Sequence, residues 1–306
     1  MGASLVVPGT APEADWHAAR ASGVTASEIA AVLGLSSFES PFSLYHRKRG
    51  DLGPQPDNDA MSLGRYLEAF VVSRFIEQRP DLDVTGDGRT LYASPDRRWQ
   101  LATPDRLVCE AGGGLTAVLE CKTTASYDGW GYGGDEIPVA YRCQVLWQMD
   151  VMAVTTGYVA CLFLHTRKLR IYQLTLGGQE LEDLEVMRLE AGEFLRRVAS
   201  GDPPPVDWAP PTTAALKRLH NTTDGPDVIV PWKLGRDYQA ACAAVKRAGQ
   251  RKKLAENRIR ERLGDGCTVW CGTEIIASRR IYQRGAYTVK AATIDALYPA
   301  RKPETP

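Results

Sequence analysis

The segment from Thr116 to Phe163 constrains this chain most, because it reads in order as strand, glycine-rich loop, helix and strand. Apolar residues alternate from Thr116 to Lys122, adopt a helical period from Val139 to Val151, and return to a strand pattern from Thr156 to Phe163. A strand near Leu169 to Leu174 and a helix from Gly178 to Ala199 follow. This order predicts an α/β core.

Upstream, TASEIAAVLGLS predicts a helix with Thr25 or Ser27 as its cap, Glu28 in its first turn and Gly34 at its end. SPFSLYHRKRG predicts a second helix closed by Gly50, with Phe42, Leu44 and Tyr45 inward. MSLGRYLEAFVVSRFIEQR predicts a longer helix whose apolar period runs through Leu63, Leu67, Phe70, Val71 and Phe75. Between Val84 and Val118, the turn signals GDGR, SPDRR and AGGG separate short apolar runs, giving a β-meander with strands near Thr90–Tyr92, Trp99–Ala102 and Arg106–Cys109. The run GDPPPVDWAPP cannot continue a helix and divides the chain into a core (1–200), a linker (201–211) and an α+β extension (212–306). The extension holds a long basic helix, Arg236 to Leu263, and strands near Cys267–Trp270, Glu274–Ile276 and Tyr287–Lys290.

Composition narrows the function classes. No apolar run approaches the roughly 20 residues of a membrane span, and MGASLVVPGTAPEAD lacks the basic-then-apolar start of a secretory leader, so a cytoplasmic protein is expected. Seven scattered cysteines form no disulfide framework. Cys267 and Cys271 lack the second pair a zinc site requires and read as strand residues. A formal net charge of zero neither favours nor excludes nucleic acid, because a DNA enzyme needs a local basic surface and not a basic average. The basic helix admits three readings: phosphate contact, contact between subunits, or a solvated face.

Phosphodiester hydrolysis requires an activated water, neutralised phosphate charge and a stabilised leaving oxygen, and Mg²⁺ held by carboxylates serves all three. The segment TPDRLVCEAGGGLTAVLECKT has the residues for this. Strand alternation sends Glu120 and Lys122 to one face and Cys121 to the other, and the Gly112 to Gly114 turn returns Asp105 toward Glu120. Asp105, Glu120 and the Cys121 carbonyl are then metal ligands. Lys122 either orients the water and lowers its pKa or stabilises charge on phosphorus. A strand with Glu and Lys at alternate positions is otherwise the solvated face of a sheet. Glu68 lies beside an apolar stripe, where it meets a cation or metal or pairs with Arg65 or Arg74. The GWGYGG loop, with Gly129, Gly131, Gly133 and Gly134, follows no strand at the offset of a dinucleotide fingerprint, and Trp130 and Tyr132 either stack on bases or anchor the loop.

Five segments, WHAARASGVTASEIAAVLG, LGRYLE, ATPDRLV, LECK and IPVAYRCQVLWQM, occur in the order found in phage-type recombination exonucleases. Over Trp16 to Ala199 the chain resembles this λ-exonuclease and YqaJ-like family of the PD-(D/E)xK superfamily. The resemblance implies a restriction-endonuclease-like core with a central mixed β-sheet flanked by helices, and a 5′ to 3′ exonuclease that uses Mg²⁺, or Mn²⁺ in its place, at a two-ion centre. It further implies a substrate of double-stranded DNA ends, 3′ single-stranded products, a single-strand annealing protein as partner and a homo-oligomeric ring trimer. Asp105, Glu120 and Lys122 match the core motif, Glu68 the helical acidic position that reaches the metal directly or through water, and Gln144 the glutamine of the following helix. Arg20 and Ser27 match positions that hold the 5′-phosphate, Thr103 is placed to meet a phosphate, and Met61 falls where an apolar wedge separates the strands or is a core methionine. Two alternatives share these residues: a PD-(D/E)xK endonuclease or RecB-like or Cas4-like nuclease, and a non-catalytic DNA-binding assembly protein with the same fold. The scattered cysteines do not match an iron–sulfur pattern, and the intact Asp105, Glu120 and Lys122 count against a non-catalytic role.

Overall fold

The computed structural model describes residues 2–54, 57–110, 113–131, 136–283, 285–286, 291 and 295–296. The expected strand at Tyr287–Lys290 lies outside the described residues, as do Gly112, Tyr132, Gly133 and Gly134. The chain separates into two compact units, residues 1–221 and 222–306.

The first unit runs β1 (Ser4–Val7), α1 (Glu13–Ala21), β2 (Val24–Thr25), α2 (Ile29–Val32), α3 (Pro41–Lys48), α4 (Asp59–Gln78), β3 (Leu82–Thr85), β4 (Leu91–Ala93), β5 (Gln100–Ala102), β6 (Arg106–Glu110) and β7 (Leu115–Thr124). It continues through α5 (Val139–Met152), β8 (Thr156–Phe163), β9 (Lys168–Thr175), α6 (Gly178–Ser200) and α7 (Pro210–Leu219). A five-stranded sheet has the order β3-β6-β7-β8-β9, with β7 and β8 parallel and every other pair antiparallel. This is the expected mixed sheet flanked by helices.

Strand alternation divides the core into two layers. Ala117 and Leu119 of β7 join Tyr158, Ala160 and Leu162 of β8 against Val71 and Phe75 of α4. Val118, Val159, Cys161 and Phe163 point to the other face, against α5 and α6. Helix α5 has eight buried residues and sits nearly surrounded, whereas α4 buries only a narrow strip. Leu63 and Phe70, expected on that strip, are exposed, and the inward period is partly buried Leu67 followed by buried Val71 and Phe75.

The meander reading needs revision. Strands β4 and β5 leave the main sheet and join β1 and β2 in a second sheet of order β1-β4-β5-β2. Its edge partners come from the N-terminal residues, and local turn signals carry no information about such distant pairing. Thr25 is accordingly a strand residue paired beside Leu101, and the helix after it is only Ile29–Val32, with Glu28 at its cap position. The second predicted helix has a capping box between Ser40 and Ser43 and ends before Gly50 at φ 81°.

The division of the chain also differs from the expectation. After the proline run, α7 packs Ala215, Leu216 and Leu219 on Phe42 and Leu52, and its Thr212 hydroxyl donates to the Ser40 hydroxyl at 2.7 Å. Residues 210–219 thus complete the first unit. The second unit holds α8 (Trp232–Leu263), which has no buried residue, and a hairpin of β10 (Thr268–Cys271) with β11 (Glu274–Ser278). Cys267 and Cys271 are free thiols. Among the described residues no helix is long and apolar enough to cross a membrane.

Candidate active site

Register assembles the site. In the antiparallel β6/β7 pair Arg106 faces Leu119, so the same offset sets Asp105, one residue beyond, against Glu120. The Cys121 backbone N–H donates to Asp105 Oδ2 at 2.7 Å and fixes the carboxylate there. Alternation along β7 puts Glu120 and Lys122 on the α5 face. Glu120 is 3% exposed and fully engaged: the amides of Gln144 and Gln148 donate to its two oxygens at 2.6 and 2.7 Å, and Lys122 Nζ lies 2.6 Å from Oε1. Lys122 also donates to Gln144 Oε1 at 3.1 Å and sits 4.7 Å from the centre of the Tyr141 ring. Tyr141, Gln144 and Gln148 recur at i, i+3 and i+7, so one face of α5 forms the ceiling of the site.

The electrostatics follow from this crowding. Burial, then the charge of Glu120, holds the Asp105 carboxyl well above the usual carboxylate range, while Lys122 and the Cys121 N–H pull the other way. Burial disfavours the charged Lys122, but Glu120 and Asp105 more than offset it and raise its pKa. The two carboxylates therefore favour the charged, donor-only form of Lys122.

Two sequence-derived candidates sit at the margin. Glu68 points to the same region and adds to the charge felt by Asp105, but its carboxylate pairs with Arg106 at 2.8 Å, a partner not expected from the sequence. Among the described residues, no three His, Cys, Asp or Glu side chains converge as a ready-made metal cage. Gly88, at φ 69°, lies so close that a Cβ would be 3.1 Å from both Arg106 and Glu68. The Thr103 hydroxyl is buried without a hydrogen-bond partner among the described residues. The donors Asp105, Glu120 and the Cys121 carbonyl are hard oxygens, and an acid whose ionisation is opposed by a second carboxylate is where a divalent cation gains most. The residues therefore fit such an ion, with water completing its shell.

A second cluster surrounds Arg20. Its guanidinium donates to the hydroxyls of Ser27 at 3.1 Å and Thr25 at 3.4 Å and stacks 4.4 Å over Trp16. Beneath it, buried Glu28 accepts the Thr25 N–H at 3.0 Å and pairs with Lys48 at 2.8 Å and Arg47 at 3.0 Å. Burial would raise the Glu28 carboxyl, but Lys48, Arg47 and Arg20 lower it below the usual range. Gly23 is required at this turn because a Cβ would lie 2.1 Å from the Trp99 carbonyl oxygen. The parallel β2/β5 register pairs Val24 with Gln100 and Thr25 with Leu101, four residues before Asp105. The two clusters are thus joined through β5 and its extension.

Met61 lies in the first turn of α4 and is exposed, which removes the core reading. Trp130 is the reverse case: it is buried and rests edge-on to Phe163 at 5.7 Å, with Tyr141 and Tyr172 beside it, so it anchors the glycine-rich loop. Sequence reasoning missed Gln148. Its signal was a second amide one turn after Gln144 in an otherwise apolar run.

Residues 15–159 match the family described as the YqaJ-like viral recombinase domain. The chain is 25% identical over 258 residues to the uncharacterized protein YqaJ of Bacillus subtilis (strain 168), covering 82% of this chain and 78% of that protein. Its fold is similar to the crystal structure of an alkaline exonuclease, LHK-Exo, from Laribacter hongkongensis, with a TM-score of 0.50 and 22% identity over 62% of this chain and 94% of that one. The structure of LHK-Exo in complex with dAMP matches with a TM-score of 0.50 and 20% identity, covering 68% of this chain and 98% of that one.

Proposed function

Because residues 15–159 carry a YqaJ-like viral recombinase domain, we propose that the chain is a metal-dependent exodeoxyribonuclease acting from the 5′ ends of linear duplex DNA. It leaves 3′ single-stranded tails, the substrate of a strand-annealing partner in recombination. The observation that carries this reading is Glu120, buried and held by Gln144, Gln148 and Lys122 directly across from Asp105. The similarity in fold to an alkaline exonuclease, which has also been crystallised with dAMP, supports it.

Asp105, Glu120 and the Cys121 carbonyl would hold Mg²⁺ or Mn²⁺, at one or two positions, with Glu68 contributing through water. Bound there, the metal supplies Lewis-acid stabilisation of the phosphate and an acidified water. Lys122 orients the attacking water or stabilises negative charge developing on the phosphate oxygens. Gln144 orients both Lys122 and Glu120. Arg20, with the Ser27 and Thr25 hydroxyls, receives the terminal 5′-phosphate through a fork-shaped donor beside two hydroxyls. Thr103 donates its free hydroxyl to a phosphate between that seat and the metal, and exposed Met61 separates the strands. A trimeric ring would hold the enzyme on its product.

The test is digestion of linear duplex labelled at either end, with or without a 5′-phosphate, in Mg²⁺ or chelator. Release should come first from phosphorylated 5′ ends, need metal, and spare closed circular DNA. Release from 3′ ends would overturn the polarity, and cutting of circles would make the protein an endonuclease.

A further inference from the structure

The formal net charge of zero conceals an opposition between the two units. Residues 1–221 carry twenty-one Lys and Arg against twenty-eight Asp and Glu, whereas residues 222–306 carry sixteen against nine. The unit with the candidate active site therefore repels a polyanion at long range, and the other attracts one. The cations of α8 are also ordered. Arg247, Arg251, Arg258 and Arg262 stand at i, i+4, i+11 and i+15, which at 100° per residue confines them to an arc of about 60° and a row about 22 Å long.

Among the described residues none of these four guanidinium groups has an ion-pair or hydrogen-bond partner. Three of the four lysines of the same helix differ: Lys233 pairs with Asp237 at 2.6 Å, and Lys252 and Lys253 approach Glu256 at 3.8 and 3.7 Å. Tyr238, Val245 and Ile259 recur at multiples of seven on another side of the helix, so the arginine row is not an apolar pairing face. No aromatic residue lies between Arg247 and Arg262. Single-stranded DNA is held by interleaved aromatic stacking, whereas a straight row of bare guanidinium groups suits the regularly spaced phosphates of a duplex.

We infer that the arginine row of α8 is a sequence-independent holding surface for duplex DNA, which supplies the affinity that the acidic first unit lacks. This rests on the duplex substrate proposed above. The experiment uses the full chain with Asp105→Asn, in chelator so that nothing is cut, and follows binding of a short labelled duplex by fluorescence anisotropy across a range of salt. Replacing all four arginines by Gln should make the plot of log affinity against log salt shallower by about 3.6, at roughly 0.9 per lost phosphate contact, and weaken binding by about 10² to 10³ at physiological salt. Each single Arg→Gln variant should lose about 0.9 of slope, and the fourfold Arg→Lys variant should keep most of it. Circular dichroism confirms that the helix persists.

Unchanged slope and affinity in the Gln variants would overturn the inference. So would a change confined to single-stranded DNA, or loss of an assembly in sedimentation, which would place the arginines against a second copy of the chain. The two readings fail separately. A wild-type chain that cuts nothing while the Asp105→Asn chain binds with this arginine-dependent slope removes the nuclease and leaves the surface. Cutting with an unaltered slope removes the surface alone.

Discussion

The buried cation clusters of the first unit and the arginine row of the second live under opposite rules. In the first unit Lys122, Lys48, Arg47 and Arg106 are each tied to a carboxylate, and Lys48 is almost wholly buried between Glu28 and the main-chain carbonyls of Arg20 and Gly23. In the second, four arginines project from a helix with no buried residue and find no partner among the described residues. A tied cation holds something in place, so its loss should appear in stability or turnover. An untied one is available to an external anion, so its loss should appear in affinity and salt dependence.

The largest effect should come from the site itself. Asp105→Asn or Glu120→Gln should lower nuclease turnover by roughly 10³-fold or more, because each removes a hard ligand from a site whose chemistry depends on charge neutralisation. Duplex binding in chelator should change far less than in the α8 variants. Equal losses of turnover and metal-free binding would erase the contrast between the units.

Gln148 sharpens the contrast within the first unit, since it touches Glu120 and sits fully buried with its own carbonyl oxygen unpartnered among the described residues. Gln148→Leu should cost about 10- to 100-fold in metal affinity or activity, as loss of a ligand's supporting partner does. Leaving one Glu120 oxygen unsatisfied should also cost about 1–3 kcal/mol of stability. A Mg²⁺ titration of activity, read beside thermal melts, checks both. Lost stability with an unaltered metal requirement would reduce Gln148 to a packing residue.

The Glu28 network is the buried counterpart of the α8 row. Lys48→Met should destabilise by about 3–5 kcal/mol, because it leaves a buried carboxylate short of a partner. The folded-state carboxyl of Glu28 lies below its ordinary value, so its contribution is complete above about pH 4.3 and is lost as pH falls through the lower folded value. Glu28→Gln should be less stable at neutral pH and lose less on acidification. Parallel acid-unfolding curves for the two proteins would show that Glu28 is not the sensor.

Much of the site could be read in the sequence because it depends on local periods. Glu120 and Lys122 share a face by strand alternation, and Asp105 returns by way of a turn. The helix bearing Gln144 was also evident, and β8 spans the expected residues. What escaped depended on partners distant in sequence. β4 pairs with β1 across more than eighty residues, Thr25 became a strand residue because β5 accepts it, and Glu68 chose Arg106 over its helical neighbours. Helix α7 was missed because proline runs suggest linkers, although proline at a helix start costs nothing.

The smallest effect tests the comparison at two glycines. In the first unit Gly23→Ala would drive a Cβ to 2.1 Å from the Trp99 carbonyl oxygen, and a backbone oxygen of a paired strand cannot swing aside. In the second, a Cβ on Gly249 meets nothing within 4 Å, and the residue lies mid-helix, where alanine is favoured by up to about 1 kcal/mol. Gly249→Ala should therefore strengthen α8 slightly, visible as slower amide exchange along that helix, with the arginine-dependent salt slope retained. Faster exchange there would mean that the side of α8 opposite the arginine row is closely packed and not open.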